Sequence, residues 1–141
     1  MQGHHLTSTL LLSLALSLGC QTTDLQKINA ARDVCPEVAA APTTEGWVLG
    51  EGEYRAEQSG AEITVFADGD NPTPGYQNIL ALGPDAESIP TLSHRRKAPS
   101  GIVAQALTPY KICARFKAAG TIEQIEIHDH AGKHAVSVKP K

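Results

Sequence analysis

The stretch that decides the fold class is Tyr110-Lys111-Ile112-Cys113-Ala114-Arg115-Phe116. Starting from Tyr110, every second side chain is apolar or aromatic, and Lys111, Cys113 and Arg115 fall between them. This period of two is that of a β-strand, whose successive side chains point to opposite faces. The pattern predicts that one face meets a core and that Cys113 lies on the outer face.

Eight further stretches of this kind are spread along the chain between turn-forming residues, and the sequence has 12 Gly and 9 Pro. Short strands at this spacing predict an all-β domain, a single immunoglobulin-like β-sandwich or small barrel of about 7–8 strands. The other stretches are 47–49, 53–55, 62–67, 76–82, 91–97, 102–107, 122–128 and 135–139. The predicted core residues are Ile63, Val65, Leu80, Val103, Ile112, Phe116, Ile125, Ile127, Val136 and Val138.

The N-terminal region has a different character. Residues 1–19 contain no Lys, Arg, Asp or Glu, and 6–18 are almost wholly apolar or hydroxyl-bearing, which is the pattern of a secretory signal peptide. Cys20 follows the small Gly19, as in a bacterial lipobox, where the Cys becomes the lipidated first residue. The alternative is an ordinary cleaved signal peptide near Cys20, because Ser17 stands where the lipobox usually has Leu.

The remaining chain divides into two parts. We expect residues 20–44 to form a tether that begins at the lipidated Cys20 and contains a short helix capped by Asp24. Cys35-Pro36 would end this helix, because the residue before Pro avoids the α region. The β-domain is expected over 45–141.

The net charge of the chain and its expected location indicate which classes of partner it binds. The formal net charge is −3, and such a mildly acidic chain gives no reason to expect nucleic acid. Membrane attachment is expected through the lipid anchor. Gln21, rather than the Asp that retains lipoproteins at the inner membrane, follows Cys20. The expected location is therefore the outer membrane of a bacterial envelope, on its periplasmic side.

The chain has 3 Cys, an odd count. If Cys20 carries lipid, Cys35 and Cys113 remain as a pair, and the oxidising periplasm permits a disulfide between them. Such a bridge would stabilise the domain by about 4 kcal/mol in the chain-entropy model. The alternative is two unpaired thiols.

Three imidazoles and a carboxylate lie close together in His128-Asp129-His130-Ala131-Gly132-Lys133-His134. Imidazole suits Zn or Cu, so His128, His130 and His134 are candidate metal ligands. The alternative is an ordinary hairpin tip, where Asp, Gly and Lys are common.

The remaining polar groups do not form an evident catalytic set. Ser93-His94 is isolated, Ser100 lacks a nucleophile-elbow pattern, and no Gly-rich phosphate loop of the usual spacing is present. We therefore expect a non-enzymatic protein without a cofactor. The basic run Arg95-Arg96-Lys97 lies in a polar stretch that we expect at a sheet edge, where such charges block strand addition.

The remaining candidate is a loop formed by Asn71, Pro72, Thr73, Pro74, Gly75 and Tyr76. Two prolines stiffen it and Gly75 permits a tight turn, so a partner could bind it with little loss of entropy. The alternative is a plain turn, with Tyr76 entering the core.

This loop resembles that of chagasin-type inhibitors of cysteine proteases, which carry Asn-Pro-Thr-x-Gly-Tyr on an immunoglobulin-like sandwich. Five of the six residues match, and Pro74 stands where the family usually has Thr. The family's Gly-rich second loop and its Arg-Pro-Trp loop have no counterpart here. The resemblance implies a loop that blocks a protease active site.

Two looser resemblances extend from this loop toward the C-terminus. The Thr-x-Gly-Tyr element, a Pro/Gly turn and the stretch 103–110 are similar to the C-terminal domain of bacterial lipoproteins that stabilise protease complexes. The stretch 73–116 also resembles secreted bacterial proteins with a Thr-Pro-Gly-Tyr element and a Pro-Ser-Gly turn. These resemblances imply a protein-interaction or accessory module whose partner is an envelope protein or a protease. The alternatives are a cysteine-protease inhibitor and a metal-binding protein.

Overall fold

The computed structural model describes residues 34–83 and 89–141. The expected signal peptide, Cys20 and the short helix of the tether lie outside the described residues. Within the two described ranges there is no helix that could cross a membrane.

The described residues form eight β-strands, which confirms the all-β class and the expected strand number. In chain order the strands are β1 (Trp47–Leu49), β2 (Glu53–Ser59), β3 (Glu62–Asn71), β4 (Gln77–Leu82), β5 (Thr91–Lys97), β6 (Thr108–Lys117), β7 (Gln124–Asp129) and β8 (Gly132–Pro140).

All eight strands belong to one sheet, which is strongly curled into a half-barrel. Its order is β1-β5-β7-β8-β2-β3-β6, and β4 lies along the other edge of β5. Neighbours are antiparallel except for β2 with β8 and β5 with β7, which are parallel. β1 and β7 share one edge of β5, because β1 pairs with its C-terminal part and β7 with its N-terminal part.

A short N-terminal segment lies between the edges of β6 and β4. Arg115 N donates to Pro36 O and Val38 N donates to Arg115 O, both at 2.8 Å. On the other side, Leu82 N donates to Ala39 O at 2.8 Å. Residues 36–39, which we expected in the tether, therefore satisfy backbone groups of two strands that would otherwise be exposed edges.

A disulfide holds this segment in place. Cys35 and Cys113 are bonded, with their Cα atoms 5.2 Å apart, so the expected pairing is confirmed. Cys113 pairs with Phe66 of β3 and alternates with the buried Ala114, which places the bridge on the outer face as predicted. The bridge thus fixes the closing segment 36–39 to β6.

The core lies inside the curl of the sheet. Six of the predicted core residues are buried, namely Ile63, Val65, Leu80, Ile125, Ile127 and Val136. Ile112, Phe116 and Val138 are partly buried against them. The buried set also includes Ala56, Ala67, Leu92 and Ala114.

The strand expected over 102–107 is wrong, and Val103 does not belong to the core. Thr108, the first residue of β6, pairs with Asn71 at the end of β3. Pro72 then carries the chain away from the sheet and has no N–H to extend the ladder. Among the described residues, 102–107 therefore have no neighbouring strand at this end of the sheet.

The expected edge position of 91–97 is also wrong. β5 pairs with β1, β4 and β7 and lies inside the sheet. Thr91, Leu92, Ser93 and His94 are all buried. β5 is polar because it borders a polar part of the interior, not because it contacts water.

Candidate functional site

A cluster of polar side chains, which we call the polar cluster, crosses the interior of the half-barrel. Six strands contribute one residue each. The members are Tyr54, Asn71, Asn78, His94, Asp129 and His134.

The centre of the polar cluster is the Tyr54 hydroxyl. It donates to Asp129 Oδ2 at 2.8 Å and lies 3.0 Å from His94 Nδ1. His94 Nε2 lies 3.3 Å from Asn78 Oδ1. A neutral imidazole has one N–H, so His94 donates either to the Tyr54 oxygen or to the Asn78 oxygen. Tyr54 therefore links β2 directly to β5 and β7.

Asp129 is the buried charge of the polar cluster. Its Oδ1 accepts from Ala131 N at 2.8 Å and from Gly132 N at 3.2 Å, and it lies 2.8 Å from His134 Nε2. These contacts close the turn between β7 and β8 in the manner of an Asx turn. Asp129, the carboxylate of the histidine-rich stretch, thus binds the backbone of the hairpin turn with Oδ1 and the Tyr54 hydroxyl with Oδ2.

Burial and hydrogen bonding shift the pKa values of the polar cluster. Burial lowers the pKa of His94 to about 4, although the nearby Asp129 raises it and Arg96 adds to the lowering. Burial also raises the pKa of Asp129, but bonds from Tyr54, His134 and Ala131 N outweigh it, so this pKa lies below its ordinary value. Near neutral pH the cluster therefore holds a neutral imidazole beside a carboxylate.

Every buried side-chain nitrogen and oxygen in the described part of the chain has a hydrogen-bond partner. The polar cluster is therefore satisfied by its own members and by backbone groups. Such a satisfied network orders a core.

The polar cluster depends on a close approach at Gly50. A Cβ there would lie 2.6 Å from His94 Nε2, well inside van der Waals contact. Gly50 N donates to His94 O at 2.9 Å, and His130 N donates to Gly50 O at 2.8 Å. The Gly50 backbone thus joins β5 to the β7–β8 turn beside the imidazole.

The sequence carried a signal for two members of the polar cluster. His94 is two positions after the buried Leu92, and Asp129 is two positions after the buried Ile127. Because strand side chains alternate, both polar residues continue an inward-facing row. A polar residue on such a row predicts a buried hydrogen-bond network, which the sequence analysis did not identify.

The three candidate metal ligands do not converge. In the β7–β8 ladder Ile127 pairs with His134, and His128 pairs with Lys133. Directly opposite residues share a face, so His134 lies on the core side with Ile127 and His128 lies on the outer side. His130 lies in the turn, beyond the end of β7. Across 34–83 and 89–141, no group of three or more His, Cys, Asp or Glu is placed to hold a metal ion.

An open acidic groove lies near the polar cluster, at the end of β2, β3 and β6. Its volume is about 660 Å³. Tyr110 forms part of its wall, and its hydroxyl donates to Glu51 O. The groove is lined by Glu51, Gly52, Glu53, Asp68, Gly69, Asp70, Pro109, Tyr110 and Lys111.

The candidate binding loop, residues 71–76, connects β3 to β4 across one end of the half-barrel. Its base is fixed, because Asn71 and Thr73 are only 4% and 7% exposed and Asn78 Nδ2 donates to Asn71 Oδ1 at 3.2 Å. Its tip is open, because Pro74 and Gly75 are exposed. Gly75 has a φ of 87°, in the region that favours glycine.

Tyr76, the last residue of the binding loop, does not enter the core. It is partly exposed, and the Arg96 guanidinium carbon lies 5.8 Å from the centre of its ring. The expected entry of Tyr76 into the core is therefore wrong, whereas the plain turn and the binding loop both stay predictions.

A second loop, residues 98–107, lies against the first. A Cβ on Gly75 would be 3.1 Å from the Pro99 Cβ. Beyond Pro99, Ile102 is fully exposed and Leu107 is 77% exposed. We call this end of the domain, with residues 71–76 and 98–107, the loop end. No protein-family model, curated protein or solved structure matches this chain.

Proposed function

We propose that this protein is a lipid-anchored, non-enzymatic interaction module of a bacterial envelope and that it binds a partner protein with its loop end. The observation that carries the proposal is the contrast within the binding loop. Its base at Asn71 and Thr73 is buried, whereas its tip at Pro74 and Gly75 is exposed.

This contrast favours recognition of a partner. Buried anchors and two prolines reduce the freedom of the loop before it meets anything, so little entropy is lost when it binds. Pro99 packs beside Gly75, so the two loops present one surface. Exposed apolar side chains such as Ile102 add area that a partner could bury.

The N-terminal sequence supports the anchored location. Residues 1–19 have the composition of a signal peptide, and Cys20 stands at the lipobox position. The Cys35–Cys113 disulfide agrees with an oxidising compartment. Gln21 after Cys20 favours the outer membrane, with the domain on the periplasmic side.

The test is an affinity pull-down of the tagged, full-length protein from detergent-solubilised envelopes, with mass spectrometry of bait and partners. We expect a bait that begins at an acylated Cys20 and one reproducible partner, which Gly75→Glu removes. Gly60→Glu is the matched control, because Gly60 also lies in a turn with positive φ, between β2 and β3. An unacylated bait without a reproducible partner would refute the proposal.

A second candidate is inhibition of a cysteine protease by residues 71–76. The observation that favours it is that the five matching residues form a fixed loop with an exposed tip. We expect the protein to slow a papain-like protease and Gly75→Glu to abolish this, with Gly60→Glu unchanged. Full protease activity across a panel of such enzymes would exclude inhibition.

A further inference from the structure

Residues 102–107 form an apolar segment without a structural partner in the described chain. Ile102 is fully exposed and Leu107 is 77% exposed. No backbone N–H or C=O of the segment bonds to the backbone of another described residue outside a strand. Within 34–83 and 89–141, one side-chain hydrogen bond reaches it, from the Thr108 hydroxyl to Ala106 O at 3.0 Å.

The local sequence of this segment disagrees with its structure. Ile-Val-Ala-Gln-Ala-Leu has the apolar character of a strand, and no residue of the segment has a positive φ. It leads directly into β6, whose ladder with β3 begins at Thr108. Natural sequences are usually consistent between local pattern and fold, and the exceptions concentrate at functional sites. The segment therefore has the properties of a strand whose neighbour is missing.

We propose that residues 102–107 are a docking strand that pairs with an extended, acidic segment of the partner protein. This inference rests on the proposed function and names the kind of segment that the loop end binds. Strand addition satisfies exposed backbone groups by main-chain hydrogen bonds, and side chains on alternate positions supply specificity.

The acidic character of the partner follows from the charges that precede the docking strand. Arg95, Arg96 and Lys97 end β5, only four residues before Ile102. Among the described residues, none of these three cations lies within ion-pair distance of a carboxylate. A segment that carries Asp or Glu at its end beside Ile102, away from the acidic groove at Pro109, would complement them and would bind faster at low salt.

The same observations disfavour two other occupants. A second copy of the chain would bring a second Arg95-Arg96-Lys97 run to the interface, and like charges brought together oppose binding. A lipid bilayer would cover Ile102 and Leu107 but would leave the free backbone groups unsatisfied in hydrocarbon, which costs several kcal/mol per group.

The experiment is selection of a random dodecapeptide display library on the full-length protein in detergent. The enriched peptides are then tested for binding to a variant with Ala104→Pro and Gln105→Pro. The two substitutions remove N–H groups that point to opposite sides of a strand, so one of them always breaks the ladder. Ala104→Ser with Gln105→Ser is the control that keeps both N–H groups. Thermal unfolding of all three proteins should coincide, since both positions are exposed.

We expect enriched peptides with acidic residues in alternation with β-branched residues. The best of them should protect the amides of 102–107 from hydrogen exchange at least tenfold, and this protection should fall with added salt. No enrichment, or enrichment of neutral or basic peptides, would overturn the inference. The inference would also be overturned if anionic vesicles alone, or concentration-dependent dimerisation, protected the amides of 102–107 from hydrogen exchange.

The same selection separates this inference from the proposed function. Peptides that still bind the double proline variant but no longer bind Gly75→Glu would refute the docking strand. They would leave the binding loop as the interaction site. Peptides that are lost with the double proline variant would support the docking strand.

Discussion

The hydroxyl of Tyr54 donates a 2.8 Å hydrogen bond to Asp129 Oδ2, across 75 positions of sequence, and so joins β2 to the end of β7. The same hydroxyl lies 3.0 Å from His94 Nδ1. One oxygen thus connects three strands that are distant along the chain. This arrangement explains why polar residues are tolerated in the interior of a small β-domain.

Replacement of Tyr54 by Phe tests this connection. It leaves Asp129 Oδ2 and His94 Nδ1 without their Tyr54 contact in a buried position. We expect the free energy of unfolding to fall by about 1–3 kcal/mol, the usual cost of an unsatisfied buried group. Urea denaturation measures this. Tyr76→Phe is the control and should change the value by less than about 0.5 kcal/mol. Equal losses in the two variants would contradict the central role of Tyr54.

The buried His94 predicts a loss of stability at mildly acidic pH. Its pKa is about 4 in the folded protein, against the ordinary value of 6.5 that it regains on unfolding. Between these values the unfolded state binds more protons, so stability rises with pH. The stability that depends on neutral His94 is fully present above about pH 6.5 and is lost as pH falls toward 4. We expect the free energy of unfolding to fall by up to about 3 kcal/mol over this range.

Urea denaturation of the wild type and of His94→Gln between pH 7 and pH 4 measures this dependence. We expect a markedly smaller slope in His94→Gln, because glutamine does not titrate. Asp129, whose folded pKa is below its ordinary value of 3.8, adds a slope of the same sign only near pH 4 and below, and it is present in both proteins. Identical slopes in both proteins would show that His94 is not the titrating group.

The contact between Gly50 and His94 predicts that the stability effects of substitutions at these two positions are not additive. A Cβ at position 50 would lie 2.6–2.8 Å from three atoms of the imidazole. We expect Gly50→Ala to lower the free energy of unfolding by about 1–3 kcal/mol, as overpacking of a core does. The loss should be much smaller in a His94→Ala background, because the clashing ring is absent. A double-mutant cycle measures the difference, and simple additivity would contradict the clash.

The Cys35–Cys113 disulfide predicts a redox-dependent closure of the half-barrel. Replacing both cysteines by Ser should lower the free energy of unfolding by about 4 kcal/mol in the chain-entropy model. The amides of Val38, Leu82 and Arg115 should then exchange faster, because the closing segment 36–39 is released from β6 and β4. Reduction of the wild type should reproduce both effects. Unchanged exchange at these amides would show that the segment closes the sheet without the bridge.

Much of the fold could be predicted from the period of two in the sequence. The strands around Ile63, Ile112 and Ile127 alternate cleanly, because one face meets the core and the other meets water. The pairing of Cys35 with Cys113 followed from cysteine count and from the expected compartment. The closing role of 36–39 could not be predicted, because it depends on two strand edges that meet only after the sheet curls.

The candidate sites were less predictable. The prolines and glycine of 71–76 make it a candidate binding loop, but the packing of Pro99 beside it depends on the tertiary arrangement of β3, β4 and β5. The histidine-rich stretch looked like a metal site because its residues are close in sequence. The β7–β8 register instead places His128 and His134 on opposite faces.

The sequence by itself determined the all-β class, most of the strand positions and most of the large apolar residues that form the core, because these depend on local alternation. Only the tertiary structure decided which polar residues meet inside, since Tyr54, His94 and Asp129 come from strands far apart in the chain. It also decided that 102–107 pairs with no strand of the part of the chain that the structure describes. Local propensity favours a strand there, but a strand needs a neighbour. β3 ends at Asn71, so it offers no pairing partner beyond Thr108.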